Sequence, residues 1–192
     1  MAGGTRRPQD HFGERAKREG FPARSVYKLQ EIDRRVQLLR RGQRVLDLGA
    51  SPGSWTQYAA QRVGREGKVV GIDLNPPRIG LPPHVSFQAL DVFKLDALAE
   101  LGPHSFDVVM SDMAPHTSGQ RHRDQFGSYE LYMRALEIAG QVLAEGGAFA
   151  HERRPVDREC IGVPQLRVRW QERLGAQRAH EARVDLDREH LL

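Results

Sequence analysis

The stretch RVLDLGASPGSWTQYAAQRV (44–63) decides the fold. Val45, Leu46 and Leu48 form a short apolar strand, residues 49–53 form a Gly- and Pro-containing turn, and residues 55–63 have helical periodicity. A strand that runs through such a turn into a helix opens a parallel α/β unit. The pattern then repeats. KVVGID (68–73), HVSFQAL (84–90) and FDVVM (106–110) predict a second, third and fourth strand. A helix is expected over 128–143, with Leu131, Ala135, Ile138, Ala139 and Val142 on its apolar side. Gly146 and Gly147 should end it, and Ala148-Phe149-Ala150 should begin a fifth strand. These alternations imply an α/β, Rossmann-like domain with a mostly parallel sheet flanked by helices.

Upstream of this core, residues 1–22 are polar, basic and Gly/Pro-containing, and read as a partly ordered arm. Residues 23–192 read as the domain, with 151–192 a tail of weaker pattern. Val26, Leu29, Ile32, Val36 and Leu39 recur at spacings of three and four. They predict a helix capped by Ser25 and stopped by Gly42, with Lys28 on the rim of its apolar stripe. Beyond residue 150 the signals fade. LRVRWQERL (166–174) could be a helix and ARVDL (182–186) a short strand, and the end of the sheet stays open.

Charge adds a direction. Residues 1–44 hold 12 Lys/Arg against 5 Asp/Glu, residues 45–150 hold 8 against 12, and residues 151–192 hold 9 against 8. A basic arm on a neutral to acidic body is a footprint for a polyanion, or a solvated arm that aids solubility. Its cations are Arg6, Arg7, Arg15, Lys17, Arg18 and Arg24. Aromatic residues make up 7% of the 192, so an aromatic stacking platform for single-stranded nucleic acid is not the first expectation. The single cysteine, Cys160, excludes an internal disulfide framework and a multi-cysteine zinc site; no metal is called for, and a reducing cytoplasm suits the chain. No apolar run reaches the roughly 18 residues of a membrane span, and the N-terminus has no apolar export core. No coiled-coil stripe appears, so a monomer is expected.

The turn after the first strand carries the chemistry. Glycines at 49 and 53 let the backbone approach a ligand at the carboxyl end of the sheet. Asp73 ends the second strand, where a carboxylate can accept from both hydroxyls of a ribose; this fits any adenosine cofactor, NAD included. Two details favour S-adenosylmethionine. The turn lacks the G-x-G-x-x-G pyrophosphate cradle, and Asp47, Asp73, Asp91 and Asp112 would make the pocket acidic, which suits a sulfonium better than a pyrophosphate. Asp47 and Asp91 could equally serve turns and helix caps.

The stretches ERAKREGFPARSVYKLQEID (14–33), RVLDLGASPGSW (44–55), VVGIDLNP (69–76), DVVMSDMAPHTSG (107–119) and LAEGGAF (143–149) follow one another in an order that resembles the FtsJ-like ribose 2′-O-methyltransferases, specifically the bacterial large-subunit ribosomal RNA methyltransferase E group. The resemblance covers about residues 10–150. It implies an S-adenosylmethionine-dependent methyltransferase fold in which Gly53, Trp55, Asp73, Asp91 and Asp112 contact the cofactor. It implies a uridine ribose of 23S ribosomal RNA in the large subunit as substrate, held through the basic arm. Of the family's catalytic Lys-Asp-Lys-Glu set, Lys28 matches the first lysine and Asp112 the aspartate.

The second lysine is absent. Glu152 stands at its aligned position, and no lysine follows Lys94. Arginine cannot take its place as a base, because it stays protonated; His151 or Glu152 could accept a proton only as much weaker bases. Glu189, in REHLL (188–192), stands against the family's terminal glutamate. Three explanations of the tail compete: divergence with loss or replacement of the base, a reading-frame change near codon 150, or a base delivered from elsewhere in the fold; the second is favoured, because apolar patterning and motifs are lost together near residue 150. The functional alternatives are a catalytically impaired RNA-binding or ribosome-assembly protein and, less favoured by the turn, a Rossmann oxidoreductase.

Overall fold

The computed structural model describes residues 11–115, 119–151 and 166–167. Its centre is one sheet with strand order β3-β2-β1-β4-β5-β6. Strands β1 (Arg44–Leu48), β2 (Lys68–Asp73), β3 (Val85–Ala89), β4 (Phe106–Ser111) and β5 (Leu143–His151) run parallel. The two-residue β6 (Leu166–Arg167) pairs antiparallel with β5. Val45, Leu46, Val69, Ile72, Val108 and Val109 are all buried, because both faces of the central strands are covered by helices.

One face packs under α2 (Val26–Val36) and α3 (Ser54–Val63), with Leu29, Trp55, Ala59 and Val63 against Val45, Val108 and Met110. The other packs under α4 (Ala97–Leu101) and α5 (Arg121–Val142), with Ala135, Ile138 and Val142 against Leu46, Val109 and Phe149. No helix among the described residues is long and apolar enough to cross a membrane.

Several boundaries differ from the sequence reading, each for a local reason. Residues 11–18 of the basic arm form helix α1 (His11–Arg18), tied down where Ala16 and Phe21 pack against Val26. Helix α2 ends at Val36 rather than at Gly42. Gln37 turns left-handed (φ 53°), and the Asp33 carboxylate accepts the Leu39 N–H at 2.8 Å, which swings Leu38 and Leu39 into the core. Ser25 has helical dihedrals and makes no side-chain cap. Helix α5 starts at Arg121, seven residues before the expected 128, because none of residues 122–127 is buried and no core-facing apolar period marks them. Gly146 and Gly147 lie inside β5 rather than before it: the strand starts at Leu143, and the pairing shifts register between Phe106–Leu143 and Val108–Ala148. Helix α4 has five residues, too short for a periodic signal, and is capped by the Asp96 carboxylate on the Ala99 N–H. Leu166 and Arg167 are strand, not the start of a helix. The rest of that expected helix and the strand at 182–186 lie outside the described residues.

Candidate active site

The β1-to-β4 boundary is where the chain reverses its order across the sheet, and crevices in open α/β sheets form at the carboxyl ends of strands at such a point. Two loops meet there. Gly49, in the turn after β1, has φ +85°, and a Cβ at this position would lie 2.7 Å from Met113 Cγ and 3.0 Å from the Met113 backbone nitrogen. The Asp112 N–H donates to the Leu48 carbonyl at 3.3 Å. Asp112 is therefore fixed beside the 49–53 turn, half-buried.

Asp73 is oriented by two backbone donors. The Ser51 N–H reaches its Oδ2 at 3.0 Å and the Asn75 N–H its Oδ1 at 2.8 Å. Each carboxylate oxygen can accept more than one hydrogen bond, so ribose hydroxyls remain within its capacity. Asp91 follows β3, and its Oδ1 accepts the Phe93 N–H at 3.0 Å, so the turn-forming role is present alongside any ligand role. Sequence reasoning missed Arg134, whose guanidinium donates to the Val92 and Leu95 carbonyls at 2.8 and 2.6 Å and so holds the loop that carries Asp91. Its partners lie about forty positions away, beyond any local pattern.

Asp47 does not line an open pocket. Its side chain is fully buried, Oδ2 accepts the Thr56 hydroxyl at 2.6 Å, and Oδ1 accepts no hydrogen bond among the described residues. Burial makes it a weaker acid and lifts its pKa from the usual 3.8 to about 7; Asp112 and Asp73 add to the rise, and the Thr56 hydroxyl opposes it. A cation arriving between Asp73 and Asp112 would favour its charged form.

Gly53 caps α3 with φ +113°. The first N–H groups of a helix have no partner within it, and the helix end carries partial positive charge. A carboxylate, such as that of an amino-acid cofactor, fits there. The Trp55 indole is 3% exposed and donates its N–H to the Ser25 carbonyl at 2.9 Å, so only this residue's backbone faces the turn. The carboxylate set, the glycine turn and the helix start thus suit the sulfonium, ribose and amino-acid portions of S-adenosylmethionine. A mostly apolar cavity of about 210 Å³ lies nearby, lined by Gln57, Ala60, Ile79, Leu81 and His84. It includes none of Asp73, Asp91 and Asp112, and its Ile79 lies against Gly53, where a Cβ would come within 2.8 Å.

The segment that precedes Lys28 is stapled to the first turn of α3. The Ala23 N–H donates to Ser54 Oγ at 2.7 Å, Ser54 Oγ donates to the Ala23 carbonyl at 3.1 Å, and the Gln57 amide donates to the Gly20 carbonyl at 3.0 Å. This brings the start of α2, and with it the exposed Lys28, to the end of the sheet that holds Asp73 and Asp112. His151 points the other way. Its ring lies 4.9 Å from Tyr132 of α5 and stacks over Phe149 at 6.4 Å, on the face opposite α2. His151 therefore lies on the α5 side of the sheet, where β5 pairs it with Ser111. Glu152 and Glu189 lie outside the described residues.

Comparison with known proteins settles the kinship. Residues 21–153 match the model of the FtsJ-like methyltransferases. The chain belongs to that family. A protein of Sorangium cellulosum named ribosomal RNA large subunit methyltransferase E is 56% identical over 142 residues, which are 73% of this chain and 66% of the relative. The chain thus spans just under two thirds of that relative's length. A Bdellovibrio bacteriovorus protein of the same name is 48% identical over 148 residues, 76% of each chain. Among solved structures, one described as a ribosomal RNA methyltransferase of Plasmodium falciparum superposes with a TM-score of 0.58 at 26% identity, over 66% of this chain and 75% of that one. The fold is that of an FtsJ-like methyltransferase, and the matched region ends at Arg153, where the sequence patterning fades.

Proposed function

We propose that this chain is an S-adenosylmethionine-dependent ribosomal RNA methyltransferase, acting on the 2′-hydroxyl of a uridine ribose in 23S RNA of the large subunit. The observation that carries this reading is the meeting of the 49–53 turn with the 112–115 loop, which puts Asp112 beside a cofactor cradle completed by Asp73. Relatives named ribosomal RNA large subunit methyltransferase E support the choice of RNA.

S-adenosylmethionine supplies a methyl group on a sulfonium, a leaving group good enough that alignment provides much of the acceleration. Gly53 and Trp55 would hold its amino-acid end through the start of α3, Asp73 the ribose and Asp91 the adenine side. Asp112 would stabilise the cationic centre and orient the acceptor. Lys28 positions the 2′-hydroxyl and shares the transfer of its proton with Asp112. The exposed Arg15, Lys17, Arg18 and Arg24 engage RNA phosphates, and Arg6 and Arg7 extend that arm.

The test is direct. The purified chain is incubated with radiolabelled S-adenosylmethionine and large subunits that lack the modification, and the label is mapped. Label on a uridine ribose is the expected result, and label on a base or on protein would refute the reading. The absence of any lysine after Lys94 favours a second reading, an RNA-binding or ribosome-assembly protein with impaired turnover. Cofactor and RNA binding without label transfer would select it.

A further inference from the structure

Helix α5 has two apolar sides, and only one is used by the core. Ala135, Ile138, Ala139 and Val142 are buried against the sheet. On the outer side Phe126, Tyr129 and Met133 are 64%, 57% and 43% exposed. With the exposed His122 they follow the spacing of one helix face, at i, i+4, i+7 and i+11. Single exposed apolar residues are ordinary; a row with two aromatic rings is not.

This row begins at the reaction loop. Gly127 sits inside α5, where glycine costs about 1 kcal/mol relative to alanine. The reason is contact: a Cβ there would lie 3.1 Å from Pro115 Cβ. The helix turn that carries Phe126 is thereby pressed against the loop that carries Asp112. Charge along the same helix also differs between its ends. His122 and Arg123 are exposed at the end near the reaction loop, with Asp124 half-buried beside them; Glu130 is exposed further along, and the exposed Glu137 is paired with Arg134 at 2.7 Å. A polyanion would meet the Arg123 guanidinium at the Phe126 end and the Glu130 carboxylate beyond Tyr129.

We propose that His122, Arg123, Phe126 and Tyr129 form a nucleobase-stacking surface that grips RNA beside the reacting ribose. Flat exposed rings flanked by a guanidinium suit unstacked bases and the phosphates between them. The proposal rests on the RNA reading above and adds where the bases next to the target are held. Phe126 and Tyr129 are positioning residues and touch no reacting atom.

The test uses the full chain and a large-subunit RNA transcript made with 5-iodouridine. Ultraviolet crosslinking followed by peptide mapping should place adducts on Phe126 or Tyr129. The double variant F126A/Y129A should bind the transcript at least roughly 30-fold more weakly, from about 5-fold or more for each of two stacked bases. F126Y/Y129F, which keeps both rings, should restore binding. Crosslinks confined to other segments, or unchanged affinity of F126A/Y129A, would overturn the proposal. So would a dimer seen by light scattering that F126A dissociates, because a second copy would then cover this face. If the unaltered, folded chain binds no RNA, the RNA reading falls and this surface with it. If it binds and methylates RNA while F126A/Y129A is unaffected, only the surface falls.

Discussion

Asp47 is a carboxylate that the fold makes expensive to ionise. With its folded value near 7 and its ordinary value at 3.8, it holds a proton in the native state across a range where the unfolded chain has lost it. Stability from this group is present in full below about pH 4, falls as pH rises and levels off above about pH 7; the loss is on the order of a few kcal/mol. Urea midpoints measured from pH 4 to pH 8 should show this decline, and Asp47→Asn should flatten it, since an amide still accepts from Thr56 and does not titrate. A decline of equal size in the variant would refute the assignment to Asp47. Asp33 is the contrasting case. It is 3% exposed, yet its Oδ1 accepts the Leu39 N–H, and its Oδ2 accepts the Tyr58 hydroxyl and the Arg62 Nε, each at 2.8 Å. Asp33→Ala would strand three donors, two of them poorly hydrated, and should cost about 3 kcal/mol of unfolding free energy by urea titration. Asp33→Asn should cost less, because it keeps an acceptor.

The elements that position the site are coupled at their ends. Ser54 joins α3 to the segment before α2 with both a donated and an accepted hydrogen bond. Ser54→Ala should lower stability by about 1–2 kcal/mol. It should also raise hydrogen exchange of the amides at 21–28 more than those of β1, and a uniform rise across the domain would argue against a local staple. This coupling was not legible in the sequence, whereas the strands were. Apolar runs such as VLDL and VVGI announce buried strands because both faces of the sheet are covered, and their boundaries agree to within a residue. The candidate residues Asp73 and Asp112 were placed for the same reason, standing at strand ends. Hubs such as Asp33 and Arg134 were not, because their partners lie 6 to 42 positions away. Gly146-Gly147 misled in another way: glycine pairs read as a break, and a register shift with β4 instead keeps them in β5.

Charge divides residues 1–150 into a basic N-terminal part and an acidic body, and the described residues 11–44 of the basic part are folded onto the domain. Helix α1 is anchored through Ala16 and Phe21, and Arg15 is held by Glu19 at 2.7 Å with its guanidinium over the Tyr27 ring. Lys17, Arg18 and Arg24 remain exposed around that anchor, on the segment stapled to α3. If these cations neutralise RNA phosphates, each should release counterions and add roughly 0.7–0.9 to the slope of log K against log salt concentration. The triple variant Lys17→Gln, Arg18→Gln, Arg24→Gln should therefore reduce that slope by about 2. It should weaken binding of cognate and unrelated RNA alike, because phosphate contacts carry no sequence information. Cofactor affinity should stay unchanged, since the three residues are exposed and none of them belongs to the Asp73–Asp112 cluster. Filter binding of a large-subunit transcript between 50 and 300 mM salt measures the slope, and calorimetry with S-adenosylmethionine measures the control. An unchanged slope would mean that the cations serve solubility, and the path of the RNA would then have to run along α5 alone.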